Sequence, residues 1–161
     1  RQFYAHVQDK FHFAITGNTA SEIIYKNADA DKPAMGMLSY KNSPDGRVLK
    51  SDTTIGKNYL VEDEIKKLER TITAFFDYIE GIIERRNSFT MEGFAESVNK
   101  FLEFNEYKVL EGYGKTSRNQ AEQKAFAEYE NFNKTQKIKS DFDQQAKALE
   151  KKLAKGASHD A

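Results

Sequence analysis

Residues 61–83 read VEDEIKKLERTITAFFDYIEGII. Within them Val61, Ile65, Leu68, Ile72, Phe75, Ile79 and Ile82 follow one another at gaps of four, three, four, three, four and three. That alternation lines one face of an α-helix for about three heptads. Phe76 and Ile83 stand beside the stripe and widen it, which predicts a helix lying against several others in a core rather than an isolated two-helix coiled coil. Glu62, Asp63 and Glu64 in the first turn and Arg85 and Arg86 at the end suit the helix dipole.

The rest of the chain supplies apolar helix to cover this one. Phe3, Val7, Phe11, Ala14 and Ile15 predict a first helix ending near Thr16, with Gly17 just past it. Thr19-Ala20-Ser21-Glu22 is a capping-box pattern that opens a short second helix carrying Ile23, Ile24 and Ala28. Residues 37–41 and 47–50 flank Asn42-Ser43-Pro44-Asp45-Gly46, which predicts a short β-hairpin closed by a type I turn with Pro44 at its second position. Phe94, Val98, Phe101 and Leu102 mark a fourth helix over about residues 91–106, stopped by Gly112 and Gly114. Ser117-Arg118-Asn119-Gln120 is a second capping box. A long last helix follows, with Ala125, Phe126, Tyr129 and Phe132, then Ile138, Phe142, Ala146, Leu149 and Leu153. The expectation is a mainly α fold of about five helices in a bundle with one small β-hairpin. Residues 1–115 form the helical core with the hairpin, residues 116–154 the long C-terminal helix packed on it, and residues 155–161 a disordered tail.

Composition narrows the function classes. The 161 residues carry 25 Lys and Arg against 25 Asp and Glu, a balance that argues against a globally basic nucleic-acid binder. Cysteine is absent, which removes disulfides and thiolate metal sites and favours a reducing compartment. No apolar run is long enough to span a bilayer, so no membrane partner is expected. The sequence starts at Arg1, already inside an apolar-periodic run, and reads as a fragment of something longer.

Several strings bear a family likeness. Thr16-Gly17-Asn18-Thr19-Ala20, Glu22-Ile23-Ile24-Tyr25, Ala28-Asp29-Ala30-Asp31-Lys32-Pro33 and Met35-Gly36 resemble the RhuM family of virulence-associated proteins. The likeness continues through Ser51-Asp52-Thr53-Thr54-Ile55, Lys57-Asn58-Tyr59-Leu60, Phe101-Leu102-Glu103-Phe104-Asn105-Glu106 and Gly114-Lys115-Thr116-Ser117, with Tyr40 where tryptophan is expected. The resemblance implies a bacterial, cytoplasmic protein, often carried on mobile elements. It implies a domain normally attached to an N-terminal DNA-binding part, and no defined reaction. The expectation is a non-catalytic interaction, regulatory or effector domain without a cofactor. Its protein partner is unknown, its DNA contacts run through the absent N-terminal part, and a homodimer can form through the C-terminal helix.

The rival reading is enzymatic. His12-Phe13-Ala14-Ile15-Thr16-Gly17-Asn18 resembles the Fic-type nucleotidyl-transferase motif, with His12 as base and Gly17 and Asn18 at the matching offsets. Thr19 and Ala20 replace the motif's second glycine and its arginine, so the phosphate-holding half is missing. Such an enzyme needs His12 in a cleft with Lys32, Lys57 or Arg47 in place of the arginine, and the segment near Ser43 as a flap. The ligand-binding candidates are therefore Gly17, Asn18, Thr19, Asp29, Lys32, Lys57 and Asn58.

Other motifs fail on chemistry. Asn27, Asp29 and Asp31 start like a calcium loop, but Lys32 and Leu38 occupy the places of its glycine and final glutamate. Residues 112–117 resemble a P-loop fragment, but Val109 stands where the first glycine belongs. His6 and His12 do not share a helix face, and no metal site is expected. Lys134, Lys137 and Lys139 beside Phe132 and Phe142 read best as a solvated helix face.

Overall fold

The computed structural model describes residues 2–85 and 89–159. Five α-helices run in the order α1 (Gln2–Thr16), α2 (Ala20–Asn27), α3 (Glu62–Arg85), α4 (Met91–Phe104) and α5 (Arg118–His159). Three 3-10 helices, Pro33–Gly36, Lys50–Thr54 and Gly56–Tyr59, lie in the connection between α2 and α3. The fold is mainly α, and no strand occurs among the described residues.

α3 packs against α1 and α4, while α2 packs against α5 and the Gly56–Tyr59 turn. The centre is Phe75, 1% exposed. Its ring meets Phe11 of α1 at 5.4 Å and Phe94 and Phe101 of α4 at 5.5 Å each, in tilted and edge-on geometries that aromatic quadrupoles favour. Between α1 and α4, the Lys10 ammonium donates to Asn99 Oδ1 at 2.6 Å, and burial pulls the Lys10 pKa below its usual value.

The stripe on α3 is narrower than its sequence suggests. Leu68, Phe75 and Ile79 are buried and Ile65, Ile72 and Ile82 pack partly against the core, but Phe76 is 53% and Ile83 48% exposed. Thr71 takes the buried flank instead, its hydroxyl donating to the Lys67 carbonyl at 2.7 Å. Two packing helices cover one face only, so a wider apolar arc has nothing to lie against.

The expected hairpin is absent. The Val48 N–H donates to Gln136 Oε1 on α5 at 2.7 Å, and the Val48 carbonyl accepts from Gln136 Nε2 and from the Tyr129 hydroxyl. α5 thus satisfies the Val48 backbone that a partner strand would have paired, while the Leu38 and Ser39 N–H groups donate to the Asn58 carbonyl. The turn is closed by Gly46 N–H to the Asn42 carbonyl at 2.8 Å, one residue wider than a type I turn, while the Tyr40 hydroxyl donates to the Pro44 and Gly46 carbonyls.

Both capping boxes form as read. Thr19 and Glu22 bond each other's backbone at 3.2 and 3.1 Å, and Ser117 and Gln120 do so at 3.1 and 2.9 Å. The turn Pro33–Gly36 has left-handed backbone at Ala34, Met35 and Gly36, which drives the Met35 side chain fully into the core. A Cβ on Gly36 would lie 2.4 Å from the Asn27 carbonyl oxygen, so only glycine fits there.

In α5, Ala121, Ala125 and Tyr129 join the same core, whereas Phe142, Leu149 and Leu153 are exposed. The helix continues through Lys155 to His159, past the point where the sequence suggested a disordered tail. The side chains of Lys137, Ile138 and Lys139 lie outside the described residues, as do Arg86, Asn87 and residues 160–161.

Replacing the central ring tests this packing. Phe75→Ala should lower the unfolding free energy by about 3–5 kcal/mol, and Phe76→Ala should stay within about 0.5 kcal/mol. Urea denaturation of the two variants reads the difference, and equal losses would refute the narrow stripe.

Candidate functional site

A cleft of about 480 Å³ opens between α1, α2, α3 and the first turn of α5. The i, i+3 spacing of Asp9 and His12 puts both on the same side of α1, and both line the cleft. Lys57 enters from the Gly56–Tyr59 turn, Glu69 from α3, and Arg118 and Glu122 from α5. Ile24, Leu68, Ile72 and Ala121 add apolar wall.

The polar groups are largely paired within the chain. His12 Nδ1 lies 2.9 Å from the Gln8 carbonyl oxygen. A carbonyl only accepts, so Nδ1 donates the proton, and in the neutral ring the lone pair is on Nε2. The Lys57 ammonium pairs with Glu69 at 3.0 Å and the Arg118 guanidinium with Glu122 at 2.9 Å. Asp9 Oδ1 accepts from the Ala20 N–H at 3.4 Å. Burial raises the Asp9 carboxyl above the usual aspartate value, against the opposing pull of the Ala20 amide and of His12 and His6. At the start of α2, the amides of Thr19, Ala20 and Glu22 all donate to side chains of this chain.

The sequence-derived candidates separate. His12 and Lys57 share the cleft, but Gly17 and Asn18 line a different groove with residues 108–115. Asn18 is engaged locally, its N–H donating to Thr16 Oγ1 at 3.1 Å. Thr19 is fully buried as the cap of α2. Asp29 Oδ1 accepts from the Asp31 N–H at 2.9 Å, and the Lys32 N–H donates to the Asp29 carbonyl, so both close their own loop. Asn58 donates from Nδ2 to the Asp52 carbonyl at 2.9 Å, and its own carbonyl accepts from Leu38 and Ser39. Arg47 reaches Asn133 on α5 at 2.9 Å, away from the cleft. The P-loop-like residues 112–117 also have a structural task. Gly114 lies so close to the capping box that a Cβ there would sit 2.8 Å from Glu22 Oε1 and Thr19 Cγ2. Among the described residues no group of three or more His, Cys, Asp and Glu is placed to hold a metal ion.

Sequence reasoning missed Asp9, Glu69, Arg118 and Glu122. Asp9 carried a local signal, three residues before His12. The others are brought in by the fold alone.

The model of the Virulence protein RhuM family matches residues 1–140. The chain belongs to this family. No curated protein and no solved structure matches it. The RhuM match takes in every wall of the cleft, and the part of α5 bearing Phe142, Leu149 and Leu153 lies beyond it. No described helix is long and apolar enough to cross a membrane.

The raised Asp9 pKa fixes the sign of a pH effect. Ionised Asp9 is disfavoured in the native chain relative to the unfolded one. It therefore costs stability above its raised native value, less in the window down to the ordinary aspartate value, and nothing below that. Asp9→Asn should raise the melting temperature at neutral pH, with the gain fading as pH falls through that window. Thermal melts across a pH series measure this, and a variant less stable than the parent at neutral pH would overturn it.

Proposed function

We propose that this RhuM-family chain is a non-catalytic interaction or regulatory module. It acts through protein contacts, while DNA is engaged by a separate N-terminal part in a bacterial cytoplasmic setting. The observation that carries this reading is the capped start of α2, with the exposed cation pairs of the cleft as a weaker second. Both cations are held by glutamates, and three amides at the start of α2 are taken by Thr19, Glu22 and Asp9. A phosphate-handling enzyme needs these donors open. The C-terminal part of α5, with Phe142, Leu149 and Leu153 exposed, supports the same reading, because such a face suits contact with a partner or a second copy.

One observation favours the Fic-like nucleotidyl-transferase alternative. His12 lies in a cleft with Lys57, and its tautomer leaves Nε2 able to take a proton. Its weakness is that Gly17 and Asn18 lie in another groove.

A thermal-shift titration with ATP, GTP, CTP and UTP, with and without magnesium, separates the two. The module reading expects no response. A nucleotide at a hundred times its dissociation constant would stabilise the chain by about 2.7 kcal/mol. Such a rise, lost in His12→Ala, would replace the module reading with the enzymatic one.

A further inference from the structure

We propose that the His12 cleft receives one basic side chain, a lysine or arginine, from a partner protein. This rests on the interaction-module reading and names the chemistry of the contact.

The charge of the cleft favours a cation. Asp9, Glu69 and Glu122 bring three negative charges to the cleft and Lys57 and Arg118 bring two positive ones, leaving one negative charge when His12 is neutral. A monocation restores balance, whereas an anion meets three carboxylates. Open acceptors point the same way. The Ala20 amide uses Asp9 Oδ1, while Asp9 Oδ2 accepts no hydrogen bond among the described residues. His12 Nε2 likewise accepts none, its proton being held on Nδ1 by the Gln8 carbonyl. Two acceptors three residues apart on one helix face suit the several N–H donors of an ammonium or guanidinium group. The wall formed by Ile24, Leu68 and Ile72 suits the methylene stem of such a side chain, which packs on apolar surface while its head reaches polar groups.

The acids differ in availability. Glu69 and Glu122 are each paired with a cation through Oε1, Lys57 and Arg118 respectively, whereas Asp9 forms no salt bridge among the described residues. Lys57 is a competitor for an incoming cation, since its ammonium lines the same cleft and occupies Glu69. Its loss would release Glu69 and deepen the negative charge.

The test is an amide NMR titration of this chain with Nα-acetyl-arginine amide and Nα-acetyl-lysine amide, with Nα-acetyl-norleucine amide as the uncharged control. Saturable shifts confined to the amides around Asp9, His12, Gly56, Lys57 and Ala121 are expected from the two cations and not from norleucine amide. Asp9→Asn should weaken binding about tenfold, the scale of one charge-assisted hydrogen bond. Lys57→Gln should tighten it, an outcome that damage to the fold would not produce. Shifts scattered over the surface, equal response to norleucine amide, or unchanged affinity in both variants would overturn the proposal. If neither the cations nor nucleotides shift the cleft amides, the basic-side-chain site falls and the module reading stands. If a nucleotide shifts them instead, both readings fall.

Discussion

The structure depends on one ring being enclosed from three sides. Phe75 gathers Phe11 from α1 and Phe94 and Phe101 from α4, and through them sets how α1 and α4 lie on α3. Fixing α1 in this way has a consequence at the surface. Phe11 faces inward while Asp9 and His12, on the neighbouring side of the same helix, are left against α2 and the Gly56–Tyr59 turn. The cleft is therefore a by-product of the aromatic core's geometry. Shifting α1 along α3 to improve the cleft would break the ring contacts, each worth about 0.5–1.5 kcal/mol beyond its buried area.

Legibility in the sequence followed the range of the forces. Both capping boxes were readable because donor and acceptor lie three residues apart. The α3 helix was readable from its period, although its width was not: whether Phe76 and Ile83 are covered depends on how many helices lie alongside, and a period does not count neighbours. The segment at residues 37–50 carried hairpin chemistry, yet its backbone partner is Gln136, a polar residue 88 positions away from Val48. A glutamine on a helix gives no sign that it will substitute for a strand.

The candidate site divides in the same way. His12 and Lys57 were chosen separately and meet in one cleft, while Gly17 and Asn18, chosen with His12 as one motif, face a different groove. The break between them is the end of α1 at Thr16 followed by positive φ at Gly17, which turns the chain away before Asn18. Sequence adjacency therefore misled where the backbone reverses. The buried amine of Lys10 had no sequence signal at all, since its partner Asn99 is 89 positions away.

What separates a binding module from a phosphate-handling site here is a competition for a few donors. The Lys57–Glu69 pair is a weak obstacle, because its side chains are 48% and 61% exposed and such pairs contribute little in water. The start of α2 is harder to open. Thr19 is fully buried and its hydroxyl and backbone are locked to Glu22, so freeing those amides means uncapping the helix, a loss of about 1 kcal/mol before any ligand is gained. Asp9 then adds a carboxylate against the Ala20 amide. The obstacle to anion chemistry is thus built into the capping of α2, and the carboxylate that lies against the Ala20 amide is the one in the cleft that forms no salt bridge among the described residues.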